Sequence, residues 1–563
     1  MRRGFRRALP AVALLAAAVL GPVPVDANRP VAASPVKAAP VAARSVAAGA
    51  RPNIVLILMD DFSTELLATM PNAQKMRREG AAYRNAFVVD SLCCPSRAAL
   101  FTGQTPHQTH VLTNTVNDPL HPVGGYRAFA AYGNLKRSFN VALRQHGYTT
   151  GFIGKYLNQY EARNVDGQLI PPPRPPGWSD FRAILGGGYA EWGFRSTYVN
   201  ADGALGLKLE SKPPSYASVL DRDRHYATNV MADRAVGFVD RHSDDDRPYF
   251  LEISTYGPHA SLGSAYSGDP AFPPAFADRP GTVYEHGNCG LLRCGQLGVD
   301  DLPGYDDPRA DNAPTYLRRD GSTRPAPAWR TNPISLTKAD AVRNLRNRAR
   351  MVQSVDRLIR RVRAAVGPNT YVFLTSDNGF HLGQHQLNGG KGAPYDSDTR
   401  VPLLVVGPGV APGPRAQFVS NIDLAPTFEG LVGQTSPSYR AGRSFVSSLH
   451  RPSAPGARYA FFEHTWSQSR PGEVDGDKRT GGTMDVIPSY VAVRGARGLL
   501  VRVDLDNSWS GHRYAWELYR YDVPWEDRNV FAGDHRKPWA RDLMRRLRLF
   551  DHCTPDECRE AAR

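Results

Sequence analysis

Four short apolar runs that hand over at once to polar residues predict an α/β fold: a large central, mostly parallel sheet flanked by helices, with a smaller C-terminal α+β domain. The length agrees, since 563 residues exceed what one small core needs. A helical pattern supplies covering layers, with Met351, Val355, Leu358, Ile359, Val362 and Val366 spaced along one apolar face.

The first run, Asn53 to Met59, ends at Asp60-Asp61, and the second, Thr150 to Ile153, at Gly154-Lys155. Tyr249 to Ser254 leads to Gly257-Pro258-His259, and Tyr371 to Leu374 leads to Ser376-Asp377-Asn378-Gly379. Ligand sites of open α/β sheets lie beyond the carboxyl ends of the strands, so these four polar ends are expected to meet in one crevice. From Ala260 to Ile334 the chain is rich in Pro, Gly, Asp and Asn and lacks periodicity, which reads as loops over that crevice.

Residues 1–27 read as an export signal: Arg2, Arg3, Arg6 and Arg7 precede the apolar stretch Ala8 to Leu20, which is too short to span a membrane. Arg2-Arg3-Gly4-Phe5 resembles the twin-arginine export pattern, and ordinary secretory export fits as well. Residues 28–50 form an Ala/Pro-rich linker, followed by a catalytic domain at 51–450 and a smaller domain at 451–563. The expected location is secreted or in the cell envelope. A net charge of +15 favours anionic partners, but the arginines are scattered and form no dense basic block, so nucleic acid is not an expected partner. Six cysteines fall into three close pairs. In an exported chain Cys289 with Cys294 and Cys553 with Cys558 are expected to close small disulfide loops, whereas adjacent Cys93 and Cys94 are poor partners for each other.

Pro95 in Cys93-Cys94-Pro95-Ser96-Arg97 suits the first turn of a helix, which places Cys93 at a helix N-terminus, where backbone N–H groups favour an anion. Read alone, such a cysteine pair is more often structural than reactive. With Ala98-Ala99-Leu100-Phe101-Thr102-Gly103 it becomes an eleven-residue string that resembles the type I sulfatase motif Cys-x-Pro-Ser-Arg followed by Thr-Gly. The resemblance runs from about Arg51 to Asn529, through Gly154-Lys155-Tyr156-Leu157-Asn158, Thr375 to Gln384, Lys391 to Asp396, Arg400-Val401-Pro402-Leu403 and Trp516-Glu517-Leu518-Tyr519. It is similar to the N-acetylglucosamine-6-sulfatase and heparan sulfatase branch of the alkaline phosphatase superfamily. That resemblance implies an alkaline-phosphatase-like fold. It also implies oxidation of Cys93 to formylglycine (3-oxoalanine) by a formylglycine-generating maturation enzyme, with the hydrated aldehyde attacking sulfur and Arg97 holding the nucleophile's oxygen.

Asp60, Asp61, Asp377 and Asn378 offer hard oxygen donors. Alone, Asp-Asp after a strand is a cap or turn and Asp-Asn-Gly a turn. The resemblance assigns these positions, with Cys93, to one divalent cation, Ca²⁺ in first place and Mg²⁺ as the alternative. It likewise gives Lys155, His259 and Lys391 to sulfate binding and proton transfer, with His259 as the general acid. Many sulfatases have Gly-Lys-Trp-His where this chain has Gly154-Lys155-Tyr156-Leu157, so the histidine expected at 157 is absent and His381 is expected to supply the imidazole. The expected activity is hydrolysis of sulfate monoesters of amino sugars, glycosaminoglycan fragments or aryl alcohols. The alternatives are a phosphodiesterase or phosphonate monoester hydrolase of the same superfamily, and a noncatalytic binder of sulfated glycans.

Overall fold

The computed structural model describes residues 51–563 apart from 116–121, 282–285, 308–311, 330–334, 466–485, 507–510 and 522–527; the signal and linker expected within 1–50 lie outside the described residues. The Asn53–Met59 strand runs through the middle of an eight-stranded sheet because both its faces are apolar. Val55, Ile57 and Met59 enter one core layer, while Ile54, Leu56 and Leu58 enter the other. From edge to edge the strands are Gly413–Ser420, Ala81–Phe87, Leu403–Val406, Thr370–Ser376, Asn53–Met59, Tyr249–Ser254, Thr149–Gly154 and Asp180–Ala183. Neighbours are parallel except Leu403–Val406, which is antiparallel to the strands on both sides.

Helices cover both faces. Ala227–His242 and Lys338–Ala365 close one layer, Cys93–Thr102 and Leu424–Leu431 the other. Thr337 caps Lys338–Ala365 by accepting the Asp340 N–H at 3.1 Å, and the helix buries Met351, Val355, Leu358, Ile359 and Val362. Val366 ends it as the C-cap. This is the predicted fold class, a mostly parallel sheet between helices.

A second, antiparallel sheet has the order Thr323–Pro325, Thr315–Leu317, Tyr514–Arg520, Gly498–Asp504, Tyr490–Gly495 and Tyr459–His464. Two of its strands come from the Pro/Gly-rich middle of the chain. Helix Pro538–Phe550 packs Leu543, Leu547 and Phe550 against Val493, Leu500 and Leu518 of this sheet. Cys289–Cys294 and Cys553–Cys558 are disulfides, as their spacing predicted, and Cys93 and Cys94 are free and buried. Among the described residues no helix is long and apolar enough to cross a membrane.

Candidate active site

Strand register brings distant segments to one point. Met59 lies opposite Ser376, Leu58 opposite Ser254, and Ser254 opposite Gly154. Asp60-Asp61, Asp377-Asn378 and Lys155 therefore leave the sheet side by side, with the chain toward His259 between them. Gly154 has φ +111°, and a Cβ there would stand 1.9 Å from the Ser254 carbonyl oxygen. Only glycine lets the backbone pass that close and turn into Lys155. Cys93 opens the Cys93–Thr102 helix, every residue of which is buried. Asp90 accepts the Leu92 N–H at 2.7 Å and Asn114 the Cys94 N–H at 2.7 Å, fixing the helix start.

Around the Cys93 sulfur stand Asp60 Oδ1 at 3.4 Å, Asp61 Oδ1 at 3.8 Å and Lys391 Nζ at 2.8 Å. Lys391 also donates to Asp61 Oδ1 at 2.8 Å, and Lys155 to Asp60 Oδ2 at 2.6 Å. His259 Nε2 lies 3.5 Å from Asp61 Oδ2, while its Nδ1 donates to the Ala260 carbonyl at 2.6 Å. Ligating atoms of Asp60, Asp61, Cys93 and His259 all lie within 4.8 Å of one another. Asp377 Oδ1 accepts the Asp61 N–H at 3.2 Å, and Asn378 Nδ2 donates to Asp61 Oδ1 at 2.7 Å.

Two predicted residues sit one step back. Arg97 donates to Asp377 Oδ2 at 2.8 Å, to the Lys155 carbonyl at 2.6 Å and to Ser254 Oγ at 2.6 Å. These bonds brace the strand ends and leave Arg97 Nη2 buried without a hydrogen-bond partner. His381 Nδ1 bonds both oxygens of Asp398, at 2.9 and 3.0 Å, and Asp398 also accepts the Ala393 N–H at 3.0 Å, which ties His381 to the loop carrying Lys391. Leu157, where a histidine was expected, is buried among Tyr156, Tyr160 and Phe181.

Other residues were not legible in the motifs. Tyr189, on the Gly186–Ala190 turn, lies against His259 with ring centroids 4.6 Å apart and has Lys155 Nζ 5.1 Å from its centroid. The three glycines before it were the available signal, since a glycine run marks close backbone approach. Arg348 donates to Ser63 Oγ at 2.9 Å and to the Asp61 carbonyl, holding the Asp61 turn from behind. A cavity of about 460 Å³ lined by His464, Asp90, Tyr490 and Arg502 is separate from the cluster around Cys93, none of whose members lines it.

Burial pushes the carboxyls of Asp60 and Asp61 up, but the cationic neighbours outweigh it and hold both below the usual range, Lys155 leading for Asp60 and His259 for Asp61. Burial and the Asp60 charge raise Asp377 to about 6 against the pull of Arg97. Burial lowers His259 to about 4, and burial, then Asp60, raises the Cys93 thiol well above its usual value. As a thiol, residue 93 is a poor nucleophile. Asp61 Oδ2 and Asn378 Oδ1 are buried without a hydrogen-bond partner. With the hydrogen-bonded carboxylates of Asp60 and Asp377 beside them they form an oxygen-rich donor set that fits a hard divalent cation.

A protein-family model described as Sulfatase matches residues 52–434. The chain is 32% identical over 391 residues to the N-acetylglucosamine-6-sulfatase of Homo sapiens, covering 68% of this chain and 61% of that one. It is 30% identical over 410 residues to a Drosophila melanogaster protein described as an extracellular sulfatase SULF-1 homolog, covering 71% of this chain and 31% of that one. The match thus spans less than two thirds of either relative. A solved structure described as in complex with its substrate D-glucosamine-2-N,6-O-disulfate has the same fold, with a TM-score of 0.59 at 19% identity over 91% of this chain and 98% of that one.

Proposed function

Because the chain belongs to the sulfatase family, we propose that it hydrolyses sulfate monoesters of amino sugars or glycosaminoglycan fragments at Cys93, after conversion of that residue to formylglycine. One observation carries the reading: the Cys93 sulfur lies at a helix N-terminus with Lys391 at 2.8 Å and Asp60 at 3.4 Å, inside a buried set of carboxylates and cations. The amino-sugar assignment rests on the name of the human relative, and export on the N-terminal pattern and the description of the Drosophila relative.

Asp60, Asp61, Asp377 and Asn378 would hold one divalent cation, with residue 93 beside it. Such an ion, Ca²⁺ or Mg²⁺, would supply positive charge against the sulfate and lower the pKa of the nucleophile's hydroxyl, which formylglycine supplies. Lys155 and Lys391 would release their carboxylate partners to bind sulfate oxygens, where charge builds as the ester bond breaks. His259 keeps its Nδ1 proton on Ala260, so Nε2 is the atom that delivers a proton to the departing alcohol. Its low proton affinity at rest rises when an anionic sulfate sits beside it. Arg97 orients Asp377, and His381 stands for the imidazole missing at 157.

The test is purification after co-expression with a maturation enzyme. Assays would use 4-nitrophenyl sulfate, N-acetylglucosamine 6-sulfate and a phosphate diester, alongside the mass of the Cys93 peptide. Release of sulfate, with a peptide lighter than cysteine requires, is expected. Turnover of the diester alone would replace this reading with a phosphoryl-transfer one, and an unmodified Cys93 that binds sulfated sugars without turnover would make the protein a binder.

A further inference from the structure

Tyr189 makes no polar bond to the catalytic cluster, yet it touches two of its members. Its ring lies 4.6 Å from the His259 imidazole, tilted by 54°, and 4.8 Å from Tyr256, which meets it edge-on at 81°. The Lys155 ammonium is 5.1 Å from the ring centroid, within range of a cation–π attraction.

The turn that carries Tyr189 is tied down on both sides. Glu161 accepts the Gly186 N–H with both carboxylate oxygens at 2.9 Å. Beyond the ring, Glu191 takes φ +65° and its carbonyl accepts the Ala227 N–H at 2.9 Å, joining the turn to the start of the Ala227–His242 helix. Gly188 lies so close to Tyr256 that a Cβ would stand 2.5 Å from its ring, and the Tyr256 hydroxyl donates to the Ile184 carbonyl at 2.9 Å. The close approach at Gly188 and the left-handed turn at Glu191 thus set one aromatic ring against His259.

His259 is held at one edge by the Ala260 carbonyl and has Nε2 3.5 Å from Asp61 Oδ2, and neither contact bears on the face of the imidazole. Tyr189 closes the face of the ring. We propose that Tyr189 is a positioning residue that holds His259 Nε2 on line for the leaving alcohol, a role that rests on the assignment of His259 as the proton donor above. The contribution of such a residue grows with the leaving group's need for a proton. A nitrophenolate leaves without one, whereas a sugar alkoxide does not.

The experiment compares the matured wild type with Tyr189→Ala, Tyr189→Phe and His259→Ala on 4-nitrophenyl sulfate and on N-acetylglucosamine 6-sulfate. Tyr189→Ala should lower kcat on the sugar sulfate by roughly tenfold or more, a fraction of the 10²–10⁴ typical of general acids, while changing kcat on the nitrophenyl ester by less than about threefold and leaving KM nearly unchanged. Tyr189→Phe should restore both activities, because the ring and not the hydroxyl is in contact. Equal losses on the two substrates would make Tyr189 mere packing, and a rise in KM alone would make it a substrate platform; either overturns the proposal. If His259→Ala shows no leaving-group dependence, the proton-donor assignment falls and this inference with it. A matured wild type inactive on both esters removes the sulfatase reading itself.

Discussion

Arg97 donates from Nε to Asp377 Oδ2 at 2.8 Å, and neither side chain has any exposure to solvent. Removing one member of a buried ion pair strands the other charge, typically at a cost of about 3–5 kcal/mol. Arg97→Ala should therefore lower the melting temperature sharply and abolish turnover. Arg97→Lys keeps the charge but loses the fork that reaches Lys155 and Ser254, so it should fall between. A variant melting like the wild type would show that this pair does not brace the strand ends.

Glu252 lies in the middle of the Tyr249–Ser254 strand, fully buried, with neither carboxylate oxygen hydrogen-bonded. Burial raises its pKa from 4.5 to about 8, against the pull of Arg97. A raised folded-state pKa gives stability that is complete below pH 4.5 and is lost as the pH climbs through 8. Glu252→Gln removes that loss. The variant should out-melt the wild type at neutral pH, by an amount on the order of 3 kcal/mol at pH 7, and the gap should close near pH 4. A gap that is constant with pH would mean Glu252 stays ionised in the fold.

Adding Ca²⁺ to protein stripped by a chelator should raise the melting temperature, since a ligand bound only by the folded state contributes about 2.7 kcal/mol at a hundred times its Kd. Asn378→Ala deletes the buried, unpartnered amide oxygen and should blunt that rise. A melting temperature indifferent to Ca²⁺ and Mg²⁺ would remove the metal from the reading.

His381→Ala should reduce turnover of a sugar sulfate by roughly a hundredfold, in the range of acid–base catalysts. Loss of melting temperature with turnover intact would reduce His381 to a support, through Asp398, for the Ala393 backbone.

The polar strand ends were legible because an apolar run buried on both faces must stop where the sheet stops, and the next side chains then face one crevice. Asp60, Lys155, Asp377 and Asn378 come from that rule. Lys391 and His381 lie on irregular backbone between two elements, so only the motif resemblance pointed to them. Glu252 was hidden by its surroundings, one polar residue in an otherwise strand-like run with no local partner to betray it. The strands Thr315–Leu317 and Thr323–Pro325 escaped for another reason: Thr315 pairs with Trp516, a contact between chain segments too far apart for any local pattern to record.

The helix that begins at Cys93 is buried along its whole length, and residue 93 is 1% exposed. A maturation enzyme acting on the folded protein would have to reach this residue past the surrounding side chains. The proposed conversion is therefore a matter of timing. A protein-sized catalyst would meet this sulfur most openly while the segment is still unfolded chain, before the helix docks between the sheet and its neighbours, so competence for the proposed chemistry would be set during synthesis.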